Sequence, residues 1–439
     1  MEKSTITVST KALSLKLGRP DVDIIDVRSV EAYNGWRLRK EARGGHVQGA
    51  RSLPFKWTRY IDWIEIVGAK NILPQRSQVL YGYDRRETEK AAELFLRSGY
   101  PDVSVYHSFA DEWAANEKHP MDKLIRYNRL VSAEWLHELI QTADAPEYDN
   151  DKYVLCHAHY QNRKAYEEGH IPGAVDLDTN LLESPDTWNR RSPEEIKRVL
   201  ESLGIRHDTT VILYGRFSDP DFNDPFPGSS AGHLGAFRCA FIMMAAGVKD
   251  VRMLNGGLQS WIDAGYAETR EETVKPPAVD FGAAVPACSR FAVDMDEAKE
   301  ILKSEDKNLV SVRSWPEFVG EVSGYHYIEK KGRIPGAVFG NCGSDAYHME
   351  NYRNLDHTMR EYSEIEKMWA ENGITPDKRN AFYCGTGWRG SEAFFSAWLM
   401  GWPDVAVFDG GWFEWSRDDK NPYETGLPKP PGTFSEPEL

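Results

Sequence analysis

At 439 residues the chain is two to four times a usual domain in length, and with 41% hydrophobic and 28% charged side chains it is expected to form several domains rather than a disordered tract. Its formal charge of −15, from 53 basic and 68 acidic residues with no obvious run of Lys and Arg, makes nucleic acid and anionic membranes poor partners. A polar amino terminus, no apolar stretch long enough to span a bilayer, and five widely spaced cysteines (Cys156, Cys239, Cys288, Cys342 and Cys384) give the expectation of a cytoplasmic chain without disulfide staples, or a periplasmic one if a leader preceded Met1.

Along the chain, one pattern is written three times. Residues 23–53 pair an apolar run with the turn Gly-His-Val-Gln-Gly-Ala at 45–50, and a β-rich run at 79–81 ends in Tyr81 before Gly82. The second copy has Gly-His-Ile-Pro-Gly-Ala at 169–174 and a run at 211–214 ending in Tyr214 before Gly215. The third has Gly-Arg-Ile-Pro-Gly-Ala at 332–337 and a run at 381–383 ending in Tyr383 before Cys384. Each copy then continues through a helix-like stretch to a shared phrase: Gly99-Tyr-Pro-Asp-Val, Gly247-Val-Lys-Asp-Val and Gly401-Trp-Pro-Asp-Val. Copy two carries an extra Pro-, Asp- and Gly-rich segment at 216–230, which reads as a surface loop. Copies two and three close on Asn255-Gly256-Gly257 with Trp261, and on Asp409-Gly410-Gly411 with Trp412 and Trp415.

Strand-like runs alternating with amphipathic helices predict an α/β protein of three tandem domains, each a mainly parallel sheet flanked by helices. The predicted boundaries are 1–127, 128–275 and 276–439: the first lies just before Ser132, a candidate helix cap, and the second in the Pro- and Ala-rich stretch 271–286. The Pro-containing tail from residue 426 is expected to be extended or loosely ordered.

Chemistry concentrates in Cys384-Gly385-Thr386-Gly387-Trp388-Arg389, between an apolar strand and a helix. Two glycines let successive backbone N–H groups converge on one point, and the following helix adds its positive end. A cysteine at the mouth of such a cradle is expected to favour its thiolate, the nucleophilic form, with Arg389 as a permanent cation for an anionic ligand. The other cysteines read as plain packing groups. Cys156-His157-Ala158-His159 lacks a second ligand pair at finger-like spacing, so neither a metal nor a cofactor is called for.

The turns, the six-residue loop and the closing phrase at 408–415 resemble the rhodanese family, and the arrangement looks most like bacterial three-domain sulfurtransferases with one active loop in the last domain. The resemblance implies that Cys384 takes a sulfane sulfur from thiosulfate and passes it from a persulfide to cyanide or a thiol. It implies substrate binding by Gly385, Thr386, Gly387, Trp388, Arg389 and Arg313. Two departures stand out: the family's Asp-x-Arg is intact at Asp26-Val27-Arg28 but reads Ser311-Val312-Arg313 in copy three, and a second arginine common in two-domain members is replaced by Glu317. With Gly82 and Gly215 where the cysteine belongs, copies one and two are expected to be silent scaffold or pocket walls. 3-Mercaptopyruvate is the alternative donor, with Thr386 as a proton carrier, and thiosulfate is expected to serve at least as well. Four residues between Cys384 and Arg389, not five, argue against a cysteine phosphatase. The reading from another class is a sulfur carrier or binding module without turnover. Acceptor, oligomeric state and partner proteins are left open.

Overall fold

The computed structural model describes residues 6–217 and 231–428, so most of the loop expected at 216–230 and most of the tail lie outside the described residues. Three five-stranded sheets account for the repeat. The first runs Ile6–Thr7, Val103–Tyr106, Ser77–Tyr81, Val22–Asp26, Arg51–Ser52; the second Leu130–Val131, Asp250–Leu254, Thr210–Gly215, Tyr153–His159, Ala174–Asp178; the third Ala292–Val293, Val405–Phe408, Arg379–Tyr383, Lys307–Ser311, Val338–Phe339. Each has the same order, first, fifth, fourth, second and third strand in sequence, and every pairing within them is parallel. The expected α/β architecture is therefore the one found.

Physical reasons for the repeated words are visible in the contacts. Tyr33 stacks on His46 at 3.6 Å and donates its hydroxyl proton to the Ala50 carbonyl; Tyr166 stacks on His170 at 3.7 Å and donates to Ala174. The third copy keeps the stacking with other residues, the Arg333 guanidinium lying 5.1 Å from the Phe318 ring. The tyrosine that ends the central strand pins the turn: Tyr81 accepts the Val47 N–H at 3.0 Å and Tyr214 the Ile171 N–H at 2.9 Å. Gly49, Gly173 and Gly336 each hold a φ between +73° and +83°, which explains the invariant second glycine of the turns.

The chain forms two compact units, Met1–Asn128 with the first sheet and Arg129–Leu439 with the other two. In the first, helix Arg85–Arg97 buries Ala91, Ala92 and Phe95 against one face of the sheet, while Tyr81, Phe109 and Trp113 fill the other. In the second, helices Ala231–Ala246 and Trp388–Leu399 pack on each other through Phe237 against Phe395 and Phe241 against Phe394. Helix Ala231–Ala246 is apolar over most of its length, as a helix buried on all sides requires, whereas Trp388–Leu399 carries Arg389, Ser391, Glu392 and Ser396 into the interior. The stretch 271–286 holds no helix or strand and is tied to the second sheet's domain, Glu201 accepting from the N–H groups of Ala278 and Phe281. No helix among the described residues is long and apolar enough to cross a membrane.

Candidate functional site

Cys384 follows strand Arg379–Tyr383, and the loop ends at Gly387, whose φ of +86° turns the chain into helix Trp388–Leu399. That position needs glycine twice over, because an added Cβ would come within 2.8 Å of both the Arg238 guanidinium and the Asp409 carbonyl. The closing phrase holds the loop from outside. Trp412 and Phe413 donate their N–H groups to the carbonyls of Cys384 and Gly385 at 2.8 and 2.9 Å, and Gly411 permits this approach, since a Cβ there would lie 2.6 Å from the Cys384 oxygen. Among the described residues, the N–H groups of Gly385, Thr386 and Gly387 have no backbone acceptor. Cys384 is fully buried, as is Thr386 to within 4%.

The two arginines expected to bind substrate meet at one carboxylate. Arg313 and Arg389 are both fully buried and both bound to Glu317. Arg389 grips it with two N–H···O contacts of 2.8 and 2.9 Å, and Arg313 reaches it at 3.2 Å while donating to the Gly332 carbonyl at 2.6 Å. Burial raises the Glu317 carboxyl, but Arg389 and Arg313 outweigh it and bring it down to about 2. Arg28 does the same work in the first copy, bonding Asp26 and the Gly45 carbonyl. The acid missing at Ser311 has thus reappeared at Glu317. Both guanidiniums are thus committed to a buried carboxylate, while the Arg389 Nε–H has no partner among the described residues.

What lies around the loop is aromatic. The Tyr325 ring covers Gly385 so closely that a Cβ would come within 2.2 Å of it, and its oxygen accepts from Arg389 at 3.2 Å. Burial raises its phenol well above the ordinary value. Tyr327 lies 5.2 Å from Tyr325, Trp188 lies 5.6 Å from Tyr327, and Tyr160 is 5.3 Å from Trp188 and 5.6 Å from Trp388. Tyr160 and Trp188 come from the second domain. So does Glu183, which accepts the Trp388 indole N–H at 3.1 Å and pairs at 2.8 Å with Arg238; Arg238 in turn reaches Asp409 at 2.7 Å.

Sequence reasoning missed Tyr160, Trp188, Tyr325, Tyr327 and Glu183, for which no motif gives a signal. Glu317 had one: Ser314 three residues before it forms a capping box, donating N–H and hydroxyl to Glu317 at 2.9 Å. It also missed Cys342, whose sulfur lies 3.1 Å from Arg389 and whose thiol burial pushes up to about 12. Cys156 and Cys239 are buried, Cys239 close enough to Glu183 and Arg238 to feel their charges, and among the described residues no group of three or more His, Cys, Asp or Glu side chains is arranged to hold a metal. The positions equivalent to Cys384 in the other two copies are closed: a Cβ on Gly215 would meet the Gly232 carbonyl at 2.1 Å, and one on Gly82 would meet Thr88 and Val27 at 2.9 Å.

A family model for the rhodanese-like domain matches residues 9–116, 132–264 and 294–418. The thiosulfate sulfurtransferase YnjE of Escherichia coli K12 is 40% identical over 406 residues, 92% of this chain and 88% of that protein. The sulfur carrier protein TtuD of Thermus thermophilus is 30% identical over 292 residues, 66% of this chain and 93% of its own. Among solved structures, wild-type EanB is 61% identical with a TM-score of 0.94, covering 97% of this chain and 98% of that one. Equally similar are EanB variants, one in complex with hercynine and one with ergothioneine covalently linked to a cysteine persulfide, at 61% identity and a TM-score of 0.94, covering 97% of this chain and 99% and 100% of theirs.

Proposed function

We propose, for a chain that belongs to the rhodanese-like domain family in all three of its repeats and is a sulfurtransferase, that a Cys384 persulfide delivers its outer sulfur to the imidazole carbon of hercynine, giving ergothioneine. The observation that carries this reading is the aromatic, charge-compensated surround of the loop. A dianion such as thiosulfate calls for a free cation, whereas here Arg313 and Arg389 share Glu317 and Arg238 is paired with both Glu183 and Asp409, so that the three arginines and three carboxylates balance only as a set. Hercynine is a histidine betaine, and a trimethylammonium group is what rings such as Tyr160, Trp188, Trp388 and Tyr327 attract through their faces. The likeness to EanB, whose structures hold hercynine and ergothioneine, supports the same acceptor.

In this reaction the persulfide's outer sulfur forms a bond to the ring carbon between the two nitrogens. The ring carbon then loses its proton as the S–S bond breaks, and Cys384 leaves as a thiolate. The unpaired loop N–H groups stabilise sulfur anions at both stages, a form of preorganised electrostatic catalysis. Gly385, Thr386 and Gly387 supply that cradle, Trp388 belongs to the aromatic surround, and Arg389 acts indirectly by fixing Glu317 and Tyr325. Incubation with inorganic polysulfide and hercynine should yield ergothioneine by mass spectrometry, and Cys384→Ala should yield none. If the wild type makes thiocyanate from thiosulfate and cyanide but no ergothioneine, the second reading holds: a thiosulfate sulfurtransferase, which the 40% identity to YnjE favours.

A further inference from the structure

Trp188 stands at a φ of +60°, in the left-handed region that a bulky side chain rarely adopts, and such strain persists only where the surroundings fix it. It belongs to a turn of the second domain. Glu183 and Arg190 form an antiparallel bridge at the base of that turn, the Trp188 N–H donates to the Ser184 carbonyl at 2.8 Å, and the Ser184 N–H donates to the Asn189 carbonyl at 2.8 Å. Two buried side chains hold the turn against the third domain. Arg238 donates to the Trp188 carbonyl and, from Nε, to Glu183 at 2.8 Å. Glu183, fully buried, accepts the Trp388 indole N–H on both carboxylate oxygens at 3.1 Å. Arg190 adds another attachment, donating its backbone N–H and Nη1 to Asp409 at 2.9 and 2.7 Å. One ion pair therefore touches two walls of the aromatic surround, Trp388 through Glu183 and Trp188 through Arg238.

We propose that Glu183 is a positioning residue for the sulfur acceptor: it fixes Trp388 directly and Trp188 through Arg238, and so sets the spacing of two rings that receive the trimethylammonium group. This role rests on the hercynine reading above and deepens it by naming what holds the binding surface together. The two indoles stand 6.3 Å apart between centroids, at 78° to one another. A cation is drawn to a ring only within about 6 Å of its centroid, so both serve one ammonium only while their relative placement is kept. The rings come from different domains, and a side chain that bonds one and ties down the other keeps that placement without touching the reacting atoms. Glu183 is also the member of the pair whose loss spares the cradle. Arg238 backs the Gly387 turn, and Asp409 remains beside it at 2.7 Å as a counter-charge when Glu183 is changed.

The test is the full chain with Glu183→Gln, which keeps the side-chain shape but sets an NH2 group against a donor N–H of Arg238 or Trp388. We expect the hercynine KM to rise about tenfold, the size of one cation–π contact, while kcat and the rate of Cys384 loading from inorganic polysulfide stay within about twofold of wild type. Trp388→Phe deletes the indole N–H and keeps a ring, so the double variant should have a hercynine KM at least about threefold lower than the product of the two single effects. Should Glu183→Gln melt early, Glu183→Asp, which keeps the charge but draws it back from Trp388, takes its place with the same expected direction. A second arm does not depend on turnover: tetramethylammonium, followed by tryptophan fluorescence, should bind about tenfold more weakly to the variant. Slower loading with an unchanged KM, or single effects that multiply in full, would remove Glu183 from this role. A wild type that makes no ergothioneine yet binds tetramethylammonium in a Glu183-dependent way loses the hercynine reading and keeps the positioning role; one that makes ergothioneine at a KM indifferent to Glu183 does the reverse.

Discussion

Replacing Glu317 by Gln removes the one negative charge that serves two buried arginines. Its carboxyl stands at about 2 against an ordinary 4.5, a difference worth about 3 kcal/mol by linkage. Leaving Arg313 and Arg389 without their counter-charge places the loss at about 3–5 kcal/mol near pH 7. The sign with pH follows from the depressed value: the contribution is full above about 4.5 and declines as pH falls toward 2. The gap between wild type and Glu317→Gln should therefore have narrowed by about 1.4 kcal/mol at pH 3.5. Urea unfolding of the full chain, followed by tryptophan fluorescence at pH 7 and pH 3.5, measures both quantities, the transition of residues 129–439 being the one that shifts. Equal midpoints at pH 7, or a gap that ignores pH, would refute the assignment of Glu317 as the shared anchor of the loop's arginines.

Trp188→Leu should raise the hercynine KM roughly two- to thirtyfold, the span of a cation–π contact of about 0.5–2 kcal/mol, while polysulfide loading of Cys384 stays as in wild type; steady-state kinetics with varied hercynine separate the two. Gly411→Ala forces a Cβ to within 2.6 Å of the Cys384 carbonyl at a φ of +55° and should slow persulfide formation at least tenfold, whereas Gly373→Ala, at φ +70° with open space around it, should cost about 1–2 kcal/mol and leave loading intact. Cys342→Ala should retain the mass gain at Cys384, since a buried thiol raised to about 12 is a poor nucleophile; loss of loading with the fold preserved would make Cys342 part of the chemistry. Thr386→Ala separates the donors: a preference of tenfold or more for 3-mercaptopyruvate over thiosulfate that disappears in the variant would assign Thr386 a proton-transfer role.

The features legible in the sequence are those fixed by local chain geometry. Positive-φ glycines at 49, 173 and 336, a tyrosine before the loop, and Cys384 between strand and helix all announce themselves within a few residues, which is why the repeat and the cysteine cradle could be read directly. Side-chain destinations could not. Arg389 looks like a clamp in sequence because nothing local says that its guanidinium turns to Glu317, 72 positions away. The signal was present as two separate oddities, an acid lost at Ser311 and an unexpected acid at Glu317, and only the fold shows that they are one substitution. Trp188 and Tyr160 belong to the second copy, and nothing local in their sequence says that their rings come within 6.3 and 5.6 Å of Trp388.

The placing of those aromatic residues separates two kinds of evolutionary constraint. On the proposed function, sulfur handling resides in one gene segment, the third repeat, where the glycines at 387 and 411 leave no room for a side chain. The proposed acceptor surface draws Tyr160 and Trp188 from another, the second repeat, which has Gly215 where the third has Cys384. Mutation there can retune which molecule receives the sulfur without disturbing how the sulfur is held. On that reading a repeat without the cysteine becomes a reservoir of specificity, and paralogues of this chain should diverge first around residues 160 and 188.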